Sequence, residues 1–247
     1  MRVDAFLGGR LRIAQPATGY RAGIDAVLLA AAVPAGAGER VLELGCGAGV
    51  ASLCLGARVP GLVQTGVELQ EGYAALARRN AAANGIALEV VTADLCALPD
   101  GLRSRAFDHV LANPPYFQRA RGSAAADPGR EVALGEATPL SLWIEIAARR
   151  LLPGGRLTMI QRAERLPDML AALGHRLGSA EVLPLAPRAG RMAKLVLLRA
   201  RKGGRAPFRL HAPLVLHDGD RHEVDGDDYT PALTAVLREG RAISWPT

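Results

Sequence analysis

The tetrapeptide Asn113-Pro114-Pro115-Tyr116 is the stretch of this chain best suited to chemistry. Two consecutive prolines exclude a helix and fix the backbone. They leave the Pro114 carbonyl free to point outward, and the Asn113 amide oxygen supplies a second acceptor close by. Two fixed acceptors match the two hydrogens of a planar NH2 group. Such a nitrogen is a poor nucleophile, because its lone pair is delocalised into a ring or a carbonyl. Hydrogen bonds to both protons localise that lone pair toward an electrophile, so positioning takes the place of a strong base. Tyr116 adds a ring able to stack on a flat substrate. The plainer alternative is a rigid turn with Tyr116 in the core.

A second constellation lies upstream. Glu43-Leu-Gly-Cys-Gly-Ala-Gly49 places Gly45, Gly47 and Gly49 where a strand turns into a helix. Glycine admits positive φ and a close backbone approach to a ligand. The spacing is G-x-G-x-G, not the G-x-G-x-x-G of dinucleotide enzymes. The next strand ends in Glu68, whose carboxylate can accept hydrogen bonds from both hydroxyls of a ribose. The third ends in Asp94, which can accept the exocyclic amine of an adenine. Together they suit a nucleoside that carries no pyrophosphate. Singly, the glycines read as a tight turn, Glu68 as a solvated strand end and Asp94 as a helix cap. Glu43 either orients the glycine turn or merely ends its strand.

The elements that must position these groups follow from the apolar pattern. Residues 7–13 alternate around Gly8-Gly9 as a small hairpin, and an apolar helix over 26–33 runs from Asp25 to Pro34. Strands are expected over 40–44, 62–69, 88–93, 107–112 and 156–160, with helices over 50–58, 71–84, 140–152 and 164–177 between them. Two more strands follow at 180–185 and 194–199, and the tail is read as a strand over 208–216 and a helix over 229–238. Strands alternating with helices give an α/β fold: a Rossmann-like, doubly wound sheet of about seven mostly parallel strands. The whole chain, 1–247, is expected to form one domain: an N-terminal cap over 1–39, a catalytic core over 40–200 and a C-terminal extension over 201–247. Ligands in such sheets bind at the carboxyl ends of the strands, where the motifs stand.

With the glycine turn, Glu68, Asp94 and the Asn-Pro-Pro-Tyr motif in these places, the chain resembles the class I S-adenosylmethionine-dependent methyltransferases over residues 40–200. The tetrapeptide resembles the signature of enzymes that methylate adenine N6, guanine N2 or glutamine side-chain amides. Upstream, Gln15-Pro16 and Gly19-Tyr-Arg-Ala-Gly-Ile-Asp25-Ala-Val-Leu-Leu29 resemble the valine-tRNA adenine-37 N6-methyltransferase family, as does Asp228-Tyr229-Thr230 in the tail. The resemblance implies S-adenosyl-L-methionine as cofactor, held by Gly45, Gly47, Gly49, Glu43, Glu68, Asp94 and Asn113, with Gly23 and Asp25 capping its pocket. It implies Asn113, Pro114 and Tyr116 as catalytic residues, and tRNA as partner. Three alternatives stay open: a glutamine N5-methyltransferase acting on release factors, a guanine N2-methyltransferase acting on rRNA, and a non-catalytic methyltransferase-like subunit that binds RNA.

Charge allows a nucleic-acid partner and equally fits an arginine-rich composition with a solvated basic surface. The net charge is +6, nearly all of it from arginine, since Lys194 and Lys202 are the only lysines. Arginine forks pair bidentately with phosphate. Arg119, Arg121 and Arg130, in the loop that leaves the Asn-Pro-Pro-Tyr turn, are expected to contact RNA beside the substrate mouth. Cys46, Cys54 and Cys96 make neither a disulfide framework nor a zinc knuckle, which fits a reducing cytoplasm. His211, His217 and His222 are read as a polar hairpin region, so no metal is expected. No signal peptide and no membrane span is legible, and nothing in the sequence signals an oligomeric state.

Overall fold

The chain starts with an antiparallel hairpin, β1 (Arg2–Phe6) and β2 (Leu11–Gln15), turned by a short 3-10 segment at Leu7–Gly9. It is seen in a computed structural model that describes residues 1–116, 138–219 and 228–245. Arg119, Arg121, Arg130 and His222 lie outside the described residues. Helix α1 (Ile24–Ala32) follows, and every residue from Ala26 to Ala32 is buried. An apolar helix flanked by Asp25 and Pro34 has no polar face to offer solvent, so it packs inside.

The regular alternation then begins: β3 (Arg40–Leu44), α2 (Val50–Arg58), β4 (Val63–Glu68), α3 (Glu71–Ala83), β5 (Glu89–Thr92), a short α4 (Asp100–Arg103) and β6 (Phe107–Ala112). Beyond the undescribed stretch come α5 (Leu140–Arg150), β7 (Leu151–Arg162), α6 (Leu166–Ala172), β8 (Leu177–Ala186) and β9 (Leu195–Lys202). The tail adds β10 (Arg209–Leu210), β11 (Leu214–Val215) and α7 (Pro231–Glu239). Strands β5, β4, β3, β6 and β7 lie parallel in that order. β9 then pairs antiparallel with β7 and with β8. The chain leaves β3 to build one half of the sheet and returns to β6 to build the other. Their carboxyl ends flank the crevice where such sheets bind ligands.

Among the described residues the sheet has nine strands, not about seven. The expected strand over 208–216 is broken into β10 and β11, both parallel to β8. Pro213 lacks an N–H for the ladder between them. The helix expected to reach residue 152 ends at Arg150, because Leu152 precedes Pro153 and the α region is closed to it. The strand starts at once, with Leu151 opposite Phe107, and the Pro153-Gly-Gly155 segment shifts the register before Arg156 meets His109. The helix expected over 164–177 is shorter, opening with Pro167 in its first turn and followed by Gly174 at φ 58°.

Apolar clusters cover both faces of the sheet. One gathers α1, α2, the hairpin and α7; the other gathers α5 and α6. Among the described residues no helix is long and apolar enough to cross a membrane.

Candidate active site

A cavity opens at the carboxyl ends of β3, β4, β5 and β6, lined by Gly45, Gly47, Glu68, Asp94 and the whole Asn113–Tyr116 turn. Gly45, Gly47 and Gly49 all have positive φ, at 66°, 54° and 86°. Their neighbours differ. A Cβ on Gly45 would stand 2.7 Å from the Trp143 ring, and one on Gly49 would stand 3.3 Å from Ala77 Cβ. Around Gly47 nothing lies within 4 Å. Gly45 and Gly49 are therefore set by packing, whereas Gly47 borders open space that a ligand can fill.

Glu68 is buried at the end of β4 and works on both sides of the cradle. Its Oε2 accepts from Gly47 N at 2.9 Å and its Oε1 from Gln70 N at 2.9 Å. Burial raises its pKa, while the N–H groups of Gln70, Gly47 and Leu69 pull it back down. A carboxylate has about four acceptor sites, so capacity for ribose hydroxyls remains. Asp94 combines two readings: Oδ1 accepts from Cys96 N at 2.8 Å, capping a 3-10 turn at Leu95–Ala97, and the residue lines the cavity.

Four sequence-selected residues do not line this cavity. Gly49 caps α2 behind it. Glu43 is buried beneath the turn and accepts from the backbone N of Ser52 at 3.0 Å and from its hydroxyl. These contacts tie Glu43 to the first turn of the helix that the glycines open. Desolvation pushes the Glu43 carboxyl up to about 8, against the Ser52 hydrogen bonds. Gly23 caps α1 and lines a separate cleft against Asp4, Arg21 and Tyr229. Asp25, in the first turn of α1, accepts a hydrogen bond from the Tyr116 hydroxyl. The Gly23–Asp25 turn thus reaches the site through Tyr116.

The Asn-Pro-Pro-Tyr turn leaves β6 at the cavity wall. Asn113 Oδ1 is buried and has no hydrogen-bond partner among the described residues. Buried acceptors are rarely left unpaired without a reason. The Pro114 carbonyl is not free as expected: it accepts from Gln161 Nε2 at 3.2 Å, and the Pro115 carbonyl accepts from the same atom at 3.3 Å. A carbonyl has two lone pairs, so Pro114 retains one acceptor site. The Tyr116 phenol titrates far above its ordinary value, through burial first and the Asp25 carboxylate second, with an Asn113 hydrogen bond acting the other way. The Arg162 guanidinium stands 5.7 Å from the centre of the Tyr116 ring.

Comparison with known proteins decides the family. The family model of the methyltransferase small domain matches residues 21–184. The chain belongs to that family. This methyltransferase is 29% identical over 247 residues to a tRNA1(Val) (adenine(37)-N6)-methyltransferase of Dickeya chrysanthemi, covering 97% of this chain and 94% of the relative. It is 35% identical over 192 residues to the protein of that name in Porphyromonas gingivalis, covering 74% of each. Among solved structures, a predicted O-methyltransferase of Agrobacterium tumefaciens superposes with a TM-score of 0.72 at 31% identity, over 89% of this chain and 98% of that one. S-adenosylmethionine is the cofactor of this methyltransferase.

Tyr20, Tyr73 and Trp143 of the methyltransferase's cavity were not singled out from the sequence as site residues. Tyr20 and Tyr73 both line it; the Tyr73 hydroxyl accepts from Tyr20 N at 3.0 Å and donates to Tyr20 O at 3.1 Å. Trp143 closes the wall over Gly45 and donates to Thr138 O at 3.3 Å. Tyr20 stood within the family-like segment, but only the fold brings it to α3. A fourth, Gln161, stands behind the wall, fully buried. A polar residue next to Met159 and Ile160 at the end of an expected strand was its one available signal.

His211 pairs with Glu181 at 3.0 Å and His217 with Asp228 at 2.5 Å. Among the described residues no group of three His, Cys, Asp or Glu side chains could hold a metal.

Proposed function

We propose that this enzyme methylates the exocyclic N6 of an adenine in tRNA, acting in the cytoplasm. The observation that carries the reading is the buried, unpartnered Oδ1 of Asn113 beside the remaining lone pair of the Pro114 carbonyl. An amine has two hydrogens for these two acceptors; a hydroxyl has one. The pair therefore favours nitrogen over oxygen as the methyl acceptor. Two relatives named tRNA1(Val) (adenine(37)-N6)-methyltransferase, one matched along nearly its whole length, support adenine in a valine tRNA. The arginine-based charge of +6 suits a phosphate backbone.

The cradle fits S-adenosylmethionine: open space at Gly47, acidic acceptors at Glu68 and Asp94, and, among the described residues, no cationic side chain lining the cavity for a pyrophosphate. Glu68 would hold the ribose hydroxyls, Asp94 the adenine amine and the glycine turn the amino-acid chain on the other side of the ribose. When bound, this cofactor supplies an electrophilic methyl group. Asn113 Oδ1 and Pro114 O accept the two amine hydrogens and turn the nitrogen lone pair out of the plane of the base. Tyr116, its hydroxyl fixed by Asp25, presents its ring to the flat base. The amine proton leaves after transfer, when the nitrogen has become acidic, so no strong base is needed before attack.

The test is incubation with methyl-labelled S-adenosylmethionine and an unmodified valine-tRNA transcript, followed by nucleoside analysis. Label in N6-methyladenosine is expected. Transfer to a glutamine side chain of an added release factor, with none to RNA, would overturn the reading.

A further inference from the structure

We infer that Gln161 is a positioning residue for methyl transfer: it tethers the Asn-Pro-Pro-Tyr turn by its side-chain amide and aims the acceptors that hold the substrate nitrogen. The inference rests on the function proposed above and adds to it a residue that does not line the cavity.

The argument begins with what the turn lacks. Pro114 and Pro115 have no N–H, so two consecutive positions cannot be tied down by donors of their own. Their carbonyls must be held from outside, or the turn is located only by the strand it leaves. The sheet supplies the holder. Ala112, the last residue of β6, lies opposite Met159 of β7. That parallel register carries Gln161 level with Pro114. Gln161 is 0% exposed. Its Nε2 reaches both Pro114 O and Pro115 O, and its Oε1 accepts from Arg162 N at 2.8 Å. With the backbone holding the oxygen, the amide is fixed in orientation and both N–H donors face the turn. Arg162, next along the chain, lies over the Tyr116 ring, so one dipeptide of β7 meets the turn at three of its four residues.

The consequence is chemical. A tethered Pro114 carbonyl offers its second lone pair in one direction, beside Asn113 Oδ1. An untethered one can swing, and misplacement by about 1 Å costs roughly 10²-fold in rate. The cofactor cradle at Glu68, Asp94 and Gly47 follows β3, β4 and β5 and is held by hydrogen bonds other than those of this tether.

The test uses the full-length protein with Gln161→Met, which keeps length and volume but donates nothing, and Gln161→Glu, which donates only while protonated. Single-turnover transfer to the valine-tRNA transcript is followed from pH 5.5 to 8.5, with cofactor affinity by calorimetry. Gln161→Met should transfer roughly 10²-fold more slowly, with cofactor affinity within about twofold and the KM for RNA little changed. Gln161→Glu should lose rate as pH rises, relative to the parent. Among the described residues, Asp25, Tyr20, Tyr116 and Arg162, the titratable groups at this turn, are common to both proteins, so the difference between the profiles belongs to position 161. Transfer by Gln161→Met at the parent's rate would overturn the inference. So would parallel pH profiles, or loss of cofactor affinity in step with rate, which is the mark of general unfolding. Hydrogen exchange of the Gln161 side-chain amide by NMR separates the two readings. If the parent methylates no amine yet this amide is protected, the proposed function fails and the tether stands; a freely exchanging amide refutes the tether whatever the substrate.

Discussion

Neighbouring residues of similar type carry different duties here. Glu43 and Glu68 are both buried carboxyls beside the glycine turn, yet only Glu68 lines the cavity. Glu68→Ala should weaken S-adenosylmethionine binding by about 1.5–3 kcal/mol, the range for hydrogen bonds to a charged group. Calorimetry on the folded variant checks this, and unchanged affinity would remove Glu68 from the ribose. Asn113→Ala should leave that affinity alone and slow turnover by roughly 10²-fold or more, as when one preorganised polar group is lost at a reacting centre. Glu43 has a different signature. Its carboxyl is pushed from 4.5 up to about 8 by burial, so between those values the folded protein holds a proton that the unfolded chain has released. Stability should therefore decline as pH rises from about 4.5 to about 8 and level off above. Glu43→Gln should flatten that decline, measured as denaturant midpoints at pH 5 and pH 8.5; identical pH dependence in both proteins would show that Glu43 is ionised when folded.

At the scale of elements, the glycine turn shows which part of the site was legible and which was not. Three glycines after a strand announce a turn with positive φ, and the alternation of strands and helices places that turn at the ligand end of the sheet. The placement of Glu68 at the cavity was legible because it closes β4, and that of Asp94 because it follows β5, two residues past its end at Thr92. What spacing could not reveal is that the glycines have separate causes. Gly45 is enforced by Trp143, which arrives from α5 about a hundred residues later, and Gly49 by Ala77 of α3. Nor could it reveal that Pro114 O is occupied by Gln161, a contact set by the β6–β7 register. The end of α5 at Arg150 has a local cause, Pro153, but that Leu151 at once begins β7 depends on Phe107, which pairs with it. The separation of causes predicts a separation of effects. Gly45→Ala and Gly47→Ala share the cost of a left-handed alanine, about 1–2 kcal/mol. Gly45→Ala also drives a methyl into the Trp143 ring, adding about 1–3 kcal/mol of overpacking. Thermal unfolding without ligand should therefore rank Gly45→Ala as the less stable. Gly47→Ala should show the disproportionate loss of cofactor affinity, because its methyl enters the space left for the ligand. Equal melting temperatures would remove Trp143 as the reason for Gly45.

Across the whole molecule, α1 joins the site to the tail. Its first turn supplies Asp25 to Tyr116. Its other end is buried, where the last carbonyls of a helix have no partners of their own. They are met from three directions: Arg58 of α2 donates to Ala30 O at 3.0 Å and to Val33 O at 2.5 Å, Arg199 of β9 donates to Ala32 O at 2.9 Å, and Ile243 N of the tail donates to Ala31 O at 2.9 Å. Trp245 then covers Arg199, its ring centre 4.0 Å from the guanidinium. The hairpin is closed by the same tail, since Arg10 donates to Glu239 O at 3.0 Å and Gly8 packs on the Arg238 carbonyl. Both chain ends therefore share one apolar cluster with α1 and α2, and loosening the tail should be felt as a loss of global stability. Ile243 is 6% exposed in that cluster. Ile243→Ala should cost about 2–5 kcal/mol, the range for emptying a buried aliphatic site, and the tail should unfold together with the sheet in a single transition. Affinity for S-adenosylmethionine should stay within about twofold, because no described residue of the tail lines the cavity. A variant that melts in two steps, with residues near Trp245 released first by fluorescence and the sheet later, would show instead that the C-terminal extension is a separate cooperative unit docked on a catalytic core able to stand without it.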